Sequence, residues 1–184
     1  EKLGVAVEII SMINSTLNVA EVLSHLMRHA NRVTGSVSST LMLLDPGSNE
    51  LVFSVPTGPK SDKLIDIRIP SGEGIAGWVA ETGQYTLVSD VNNDPRFYPE
   101  IDKMTGLKTK TILCVPLKAK SKLIGVLEVI NKVDGTVFTE KDAILLSIFA
   151  SQAAMAIENA RLYGELKDRL KEEREMQKKL AETE

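Results

Sequence analysis

Two long apolar segments separated by only three polar residues constrain the fold of this chain more than any other feature. Residues 111–119 and 123–133 are rich in Val, Ile and Leu and flank Lys120-Ser121-Lys122. Extended apolar segments joined by so short a connection predict an antiparallel β-hairpin.

Four further strands are predicted upstream. Residues 38–45 and 51–55 flank a turn that contains Pro and Gly, which indicates a second hairpin. Three isoleucines, at positions 65, 67 and 69, alternate with polar neighbours and predict a third strand, and residues 86–89 predict a short one. The sheet would then have six strands.

Helical patterns surround these strands. Residues 3–33 carry apolar positions at helical spacing, interrupted near Asn14, and predict two helices or one kinked helix. Residues 75–81 predict a short helix that Gly83 ends, and residues 90–108 predict a loop with a helical turn. The fold class is therefore α+β: a six-stranded antiparallel sheet with helices packed on it.

A long final helix is predicted from Thr139, which can cap it, with Asp142 as the capping-box partner. Its first half is apolar enough to cover a sheet face. After Gly164 it becomes rich in Lys, Glu and Arg, with an imperfect apolar seam at Leu166, Leu170, Met176 and Leu180. The seam predicts a coiled-coil-type helix that pairs with a second copy of the chain; a frayed, solvated tail is the alternative.

These patterns divide the chain into three parts. Residues 1–35 form N-terminal helices that take part in dimerisation, residues 36–163 form the globular core, and residues 164–184 form a linker helix. Since helical pattern reaches both ends, we expect a piece of a larger protein with a covalently linked output domain.

Composition excludes several classes of function. A net charge of -3 and a pI near 5.6 provide no basic field for nucleic acid. No signal peptide or uniformly apolar run of about 20 residues is apparent, so no membrane contact is expected from this part of the chain. A single cysteine, Cys114, fits a reducing compartment, which predicts a cytoplasmic location.

No arrangement of residues predicts catalysis or metal binding. Residues 72–77 match GxGxxG, but the helix that follows is too short for a dinucleotide-binding unit, which favours a turn and helix start. His25 and His29 share a helix face without further nitrogen or sulfur ligands, and Cys114 lies in an apolar strand. The domain is therefore predicted not to be an enzyme and to hold no metal.

Polar residues set among apolar ones are more informative. Glu128 interrupts a strand that is apolar on both faces, and a buried carboxylate needs solvent or a donor. Asp102, Thr105 and Thr109 cluster in the loop before the adjoining strand. These residues indicate either a binding site or a hydrated loop.

The chain resembles the GAF domain family from about Ser36 to Tyr163. Residues 67–70 followed by Gly74-Ile75-Ala76-Gly77-Trp78 resemble the GAF signature. Residues 94–97, 105–116 and 124–132 are similar to the cyclic-nucleotide-binding GAF domains of phosphodiesterases and adenylyl cyclases. The hallmark of that subfamily is matched by Asn131, Lys132, Phe138 and Asp142, with Ala143 in place of its final glutamate.

The resemblance implies a pocket and a structural strap. The pocket would use Thr40, the backbone at Ile75 and Ala76, and the side chains of Asp102, Thr105, Thr109 and Glu128. Lys132 and Asp142 would form a salt bridge beneath it. Pro56 stands where guanine-selective members have an aspartate, which disfavours guanine and leaves cAMP, another small ligand, or none.

The resemblance also implies a function. We expect a ligand-sensing regulatory domain of a multidomain signalling protein of bacterial type, such as a histidine kinase of a two-component system. It would act as a homodimer through its terminal helices. The alternative is a ligand-free dimerisation spacer whose pocket has collapsed. An open cavity at Glu128, Thr109 and Thr40 would favour sensing, and a filled one would favour the spacer.

Overall fold

The computed structural model describes residues 19–183 and shows one six-stranded antiparallel sheet with helices on both faces. The sheet order is β3-β2-β1-β6-β5-β4. The strands are β1 (Ser36–Leu44), β2 (Leu51–Thr57), β3 (Arg68–Ile69), β4 (Thr86–Val88), β5 (Ile112–Ala119) and β6 (Lys122–Lys132). The helices are α1 (Val19–Thr34), α2 (Gly74–Thr82), α3 (Glu100–Thr105) and α4 (Glu140–Thr183), with 3-10 helices at Ser61–Leu64 and Val91–Asn93. The predicted fold class is confirmed.

The central hairpin forms as predicted, with one correction to its turn. Lys120 and Ser121 both have positive φ, at 50° and 68°, so the turn has two residues and Lys122 already belongs to β6. Positive φ at both central positions is the geometry that matches the twist of paired strands.

The predicted third strand is mostly wrong. Only Arg68–Ile69 belongs to the ladder with β2, although the Asp66 N–H donates to the Phe53 carbonyl and the Phe53 N–H donates to the Ile67 carbonyl. Ile65 follows the 3-10 helix at Ser61–Leu64 and is 54% exposed. Asp66 adopts a left-handed conformation, with φ of 66°, which interrupts the extended path, so the three isoleucines do not lie in one continuous strand.

Two apolar cores cover the two faces of the sheet. On one face, α1 and α4 pack against Leu41, Leu113 and Leu127. On the other, α2 and the segment leading to β5 cover Met42, Ile112 and Val126. Successive residues of the same strands thus point to opposite faces: one set packs against α1 and α4, and the other set faces the core that contains the cavity described below.

The first half of α4 packs on the sheet with small residues. Its buried side chains are Asp142, Ala143, Leu146, Ala150, Ala153 and Ala154. Ile144, Ile148 and Met155, which we expected to cover the sheet, are instead exposed. Within residues 19–183, α4 is the one helix long and apolar enough to cross a membrane by length and composition. Its buried face on β5 and α1 makes it a core helix of this domain.

The predicted second N-terminal helix is α1, and the remainder of the prediction for residues 3–33 lies outside the described residues. The predicted cap of α4 is confirmed. The Asp142 N–H donates to Thr139 Oγ1 at 3.3 Å, and the Thr139 N–H donates to Asp142 Oδ2 at 2.8 Å. These reciprocal bonds form a capping box.

Candidate ligand-binding site

A partly open cavity lies between the sheet face opposite α4 and a cover formed by α2, α3 and their connecting loops. Its volume is about 50 Å³, in which only a few water molecules have room for their centres. Its walls are mainly apolar, from Met42, Phe53, Leu64, Ile69, Phe97, Ile101, Leu107, Ile112 and Ile130. All seven ligand-binding positions predicted from the sequence line it: Thr40, Ile75, Ala76, Asp102, Thr105, Thr109 and Glu128.

The floor of the cavity carries a cross-strand pair of polar residues. Thr40 on β1 lies opposite Glu128 on β6, and Cys114 on β5 lies on the other side of Glu128. Thr40 is 3% and Glu128 8% exposed, yet within residues 19–183 neither side chain makes a hydrogen bond or ion pair. Two buried polar groups left unbonded by the protein indicate a ligand or trapped water.

Burial also changes the acidity of Glu128. Removal of the carboxylate from water, with a smaller contribution from the charge of Asp102, raises the pKa of Glu128 to about 7. At neutral pH this side chain therefore exists in both the neutral and the ionised form. The neutral form can donate a hydrogen bond, and the ionised form can only accept.

The first turn of α2 forms one wall. The N–H groups of Ile75 and Ala76 precede the first intrahelical bonds and have no partner in the described part of the chain. Gly77 is required here because a Cβ at this position would come within 2.7 Å of the Gly72 backbone. The predicted turn and helix start at residues 72–77 is confirmed, and the free amides suit an anionic or carbonyl group.

The roof differs in character from the floor, because its polar groups already bond to one another. Asp102 accepts hydrogen bonds from the Thr109 N–H at 2.8 Å and the Thr109 hydroxyl at 2.6 Å. Thr105 donates to the Ile101 carbonyl and accepts from the Leu107 N–H, and so closes α3. These three residues line the cavity while holding its cover in place.

Two anchors fix the ends of the cover. Arg96 donates to both carboxylate oxygens of Asp94 and to Thr86 Oγ1, and its guanidinium lies 4.6 Å from the centre of the Trp78 ring. At the other end Asn131, with φ of 54°, accepts from the N–H groups of Lys110 and Thr111 and donates to the Lys108 carbonyl. Asn131 therefore clamps the strand that follows the cover.

The strap lies at the end of the sheet. Lys132 Nζ lies 2.8 Å from Asp142 Oδ2 and 5.8 Å from the centre of the Phe138 ring. Burial opposes ionisation of Asp142, but hydrogen bonds from Lys132 and the Thr139 backbone outweigh it and lower the pKa of Asp142.

Several residues flagged in the sequence lie away from the cavity. His25 and His29 are exposed on α1, where His29 contacts Phe149. No group of three metal-ligating side chains occurs among residues 19–183. Cys114 is fully buried next to Glu128 on the same face of the sheet without lining the cavity, and desolvation raises its pKa well above the usual value. Pro56 pairs with Thr40 in the ladder but does not line the cavity.

Sequence reasoning missed other lining residues. Ser38 lies two positions before Thr40 and lines the same cavity, which strand alternation could have predicted. Phe97 and Tyr98 contribute aromatic rings from the cover, and the Arg96 anchor depends on residues distant in sequence.

Fold and site together define a class: a small α+β domain that contains an apolar cavity with a few convergent polar groups between one sheet face and a helical cover. The GAF domain family model matches residues 18–157, and the chain belongs to this family. It is a regulatory GAF domain related to those of phosphodiesterases.

Curated relatives match parts of longer proteins. A probable 3',5'-cyclic phosphodiesterase of Caenorhabditis elegans is 32% identical over 166 residues, covering 85% of this chain and 23% of that protein. A dual 3',5'-cyclic-AMP and -GMP phosphodiesterase of Takifugu rubripes is 42% identical over 101 residues, covering 54% of this chain and 11% of the relative. The chain thus spans less than a quarter of either relative.

Solved structures confirm the fold. The GAF domain of a phosphoenolpyruvate-protein phosphotransferase from Coxiella burnetii has a TM-score of 0.71 at 22% identity, covering 88% of this chain and 95% of that one. A free methionine-R-sulfoxide reductase from Neisseria meningitidis, in complex with its substrate, has a TM-score of 0.66 at 25% identity, covering 89% and 94%. The same fold therefore occurs in a GAF domain of a phosphotransferase and in a methionine sulfoxide reductase.

Proposed function

We propose that this domain senses a cyclic nucleotide, with cAMP favoured over cGMP, and relays its binding through α4. The observation that carries the proposal is the cavity floor, where Thr40 and Glu128 are buried without partners in the described structure. The relationship to cyclic nucleotide phosphodiesterases supports the ligand class.

The chemistry of the walls suits a cyclic nucleotide in a particular orientation. Among residues 19–183, no Lys, Arg or His side chain lines the cavity. A cyclic phosphate would therefore bind the free amides of Ile75 and Ala76, at the positive end of α2. The purine would lie between apolar walls, and Glu128 would face a hydroxyl or amino group rather than the phosphate. The preference for adenine rests on the family resemblance alone, because proline at position 56 offers no side-chain acceptor for guanine and Pro56 does not line the cavity.

The volume of the cavity requires a movement before a nucleotide can enter. Sites for molecules of this size usually have about 300–1,000 Å³, whereas this cavity has about 50 Å³. Binding would select a state in which α3 has moved outward and the cavity is larger. Part of the binding free energy would then be used to open the cavity.

A dimerisation spacer is the second candidate, and the small cavity favours it. In a spacer, the apolar walls would remain packed and the floor would hold water. The sensor and the spacer differ in whether any small molecule binds at the floor.

Calorimetric titration with cAMP and with cGMP separates these candidates. Thr40→Val tests the floor better than a change at Thr109, because the Thr40 hydroxyl bonds nothing in the described residues whereas Thr109 holds the cover. Saturable heat with cAMP that Thr40→Val weakens about tenfold, about the loss of one hydrogen bond, supports the sensor. Thr183→Val, at the exposed end of α4, is the control. No heat with either nucleotide would remove the cyclic-nucleotide proposal.

The output would be transmitted by a homodimer. Eight exposed apolar residues of α4 form what we call the α4 stripe: Ile144, Ile148, Met155, Leu162, Leu166, Leu170, Met176 and Leu180. At about 100° per residue they occupy roughly a third of the helix circumference. A second copy of α4 is the proposed partner, in the cytoplasm. The polar continuation of α4 supports a histidine-kinase output, and the phosphodiesterase relatives support a phosphodiesterase output.

A further inference from the structure

Two carboxylates approach the cavity from opposite sides. Glu128 lies on the floor and Asp102 on the roof, and both line the cavity. Asp102 is held by two hydrogen bonds from Thr109, whereas Glu128 has no hydrogen bond among residues 19–183. Since no cationic side chain of the described residues lines the cavity, a proton is what neutralises Glu128 while the cover stays in place.

We call the part of the cover between its two anchors, residues 97–107, the gate; Phe97 and Ile101 pack it against the core of the cavity face. The Arg96 cluster fixes the chain before the gate, and Asn131 clamps residues 108–111 after it. Within the described structure, the hydrogen bonds that join α3 to the rest of the domain are those from Thr109 to Asp102. Gly106, with φ of 70°, ends α3 and provides a hinge.

We propose that a proton on Glu128 holds the gate closed, and that ionisation of Glu128 opens it by placing a second negative charge opposite Asp102. This regulation rests on the proposed function, since it controls access to the same cavity. Ligand entry then becomes easier as the pH rises, and closure becomes tighter as it falls.

The direction follows from the two states of Glu128. In the closed cavity its pKa is about 7, and in an open cavity it returns toward the ordinary value of 4.5. The closed state therefore binds more protons between these values and loses population relative to the open state as pH rises through them. Between pH 5.5 and 8 the ratio of closed to open gate should fall roughly 25-fold, from the difference between the two pKa values.

Other ionisable groups around Glu128 do not reverse this direction. Cys114 on β5 is neutral at these pH values because its pKa is raised. Tyr98 and Asp102 are the remaining ionisable residues of the lining, and Arg96 lies outside it. β1 contributes the uncharged Thr40, and α2 contributes backbone groups.

Amide hydrogen exchange of the ligand-free 184-residue chain, followed by NMR, tests the gate directly. The Thr109 N–H donates to Asp102, so its exchange rate reports opening of the gate. The neighbouring Lys110 N–H donates to Asn131, so its exchange rate reports opening of the clamp. After correction for chemical exchange, the Thr109 protection factor should fall roughly 25-fold between pH 5.5 and 8, the ratio expected from the Glu128 pKa values, with Lys110 much less affected.

Matched variants make the outcome decisive. Glu128→Gln mimics the protonated side chain and should give pH-independent Thr109 protection, whereas Asp62→Asn at an exposed carboxylate should behave as wild type. Asp102→Asn keeps only one acceptor oxygen for Thr109 and removes the smaller cause of the raised Glu128 pKa, so it should lower Thr109 protection at every pH and keep most of the fold-change. If Glu128→Gln does not fold, the pH profile of the wild-type chain decides the question. A flat wild-type profile, or the same fall in Glu128→Gln, would overturn the gate. Because no ligand is present, this result is independent of the nucleotide titration.

Discussion

Lys132 at the end of β6 forms an ion pair with Asp142 in the first turn of α4, with Nζ and Oδ2 2.8 Å apart. The side chains are 16% and 9% exposed, so the pair is largely withdrawn from water. The same Asp142 caps α4 through Thr139. The sheet that forms the cavity floor is thus connected to the helix that leaves the domain.

Removal of this cation should destabilise the domain. Lys132→Met leaves Asp142 partly buried without its partner, and we expect the free energy of unfolding to fall by about 2–3 kcal/mol. Lys103→Met is the matched control, because the Lys103–Glu100 pair is 68% and 52% exposed and should cost about 0.5 kcal/mol or less. Urea unfolding measures the free energy of unfolding of both variants. Equal losses would show that the Lys132–Asp142 pair stabilises the domain no more than an exposed ion pair does.

The Asn131 clamp makes a graded prediction. Asn131→Ala loses three hydrogen bonds, and its Cβ still has to adopt the left-handed conformation. We expect the free energy of unfolding to fall by about 3 kcal/mol. Asn131→Gly removes the conformational strain and should cost about 2 kcal/mol. Asn131→Asp keeps the acceptor for Lys110 and Thr111 and should cost about 1 kcal/mol. Denaturation midpoints at constant m-value test the order, and a Gly variant as unstable as the Ala variant would refute the strain contribution.

Glu128 should make the stability of the domain depend on pH. Because its folded pKa is about 7 and its ordinary value is 4.5, the folded state binds more protons than the unfolded state between these values. Stability contributed by this group therefore falls as pH rises through that window. Glu128→Gln should be more stable than wild type by about 2–3 kcal/mol at pH 8 and nearly equal to it at pH 4.5. Thermal unfolding at the two pH values measures the difference, and a constant difference would contradict it.

The α4 stripe should mediate self-association. Leu166→Glu places a charge on the stripe, where Leu166 is 52% exposed, and should convert a dimer into a monomer. Lys171→Glu lies about 140° further around the helix and should leave the dimer intact. Light scattering after size exclusion gives both masses, and a monomeric wild-type chain would remove the proposed dimer.

Sequence patterns predicted those elements whose cause is local. The hairpin at β5 and β6 follows from two long apolar segments with a short polar connection, although that connection was predicted one residue too long. The α4 cap follows from Thr139 and Asp142. The third strand was predicted too long because the left-handed conformation of Asp66 leaves no signal in the hydrophobic pattern.

Which residues line the cavity was predictable from the sequence, but the hydrogen bonds among them were not. Glu128 was conspicuous because it interrupts an apolar strand, and it lies on the cavity floor as its type suggested. Asp102 and Thr109 lie seven residues apart, and they can bond only because α3 ends at Gly106 and the chain turns back there. The Arg96 anchor requires Trp78 and Thr86 from other elements, and only the folded chain brings them together.

The most direct test of the central claim is an NMR titration of the uniformly labelled domain with cAMP. If the cavity is the ligand site, the amide signals of Ile75, Ala76 and Thr109 should shift together and saturate, and cGMP should shift them only at higher concentration. Absence of saturable shifts at these three amides, or shifts confined to exposed residues away from the cavity, would contradict the proposal that this GAF domain senses cAMP.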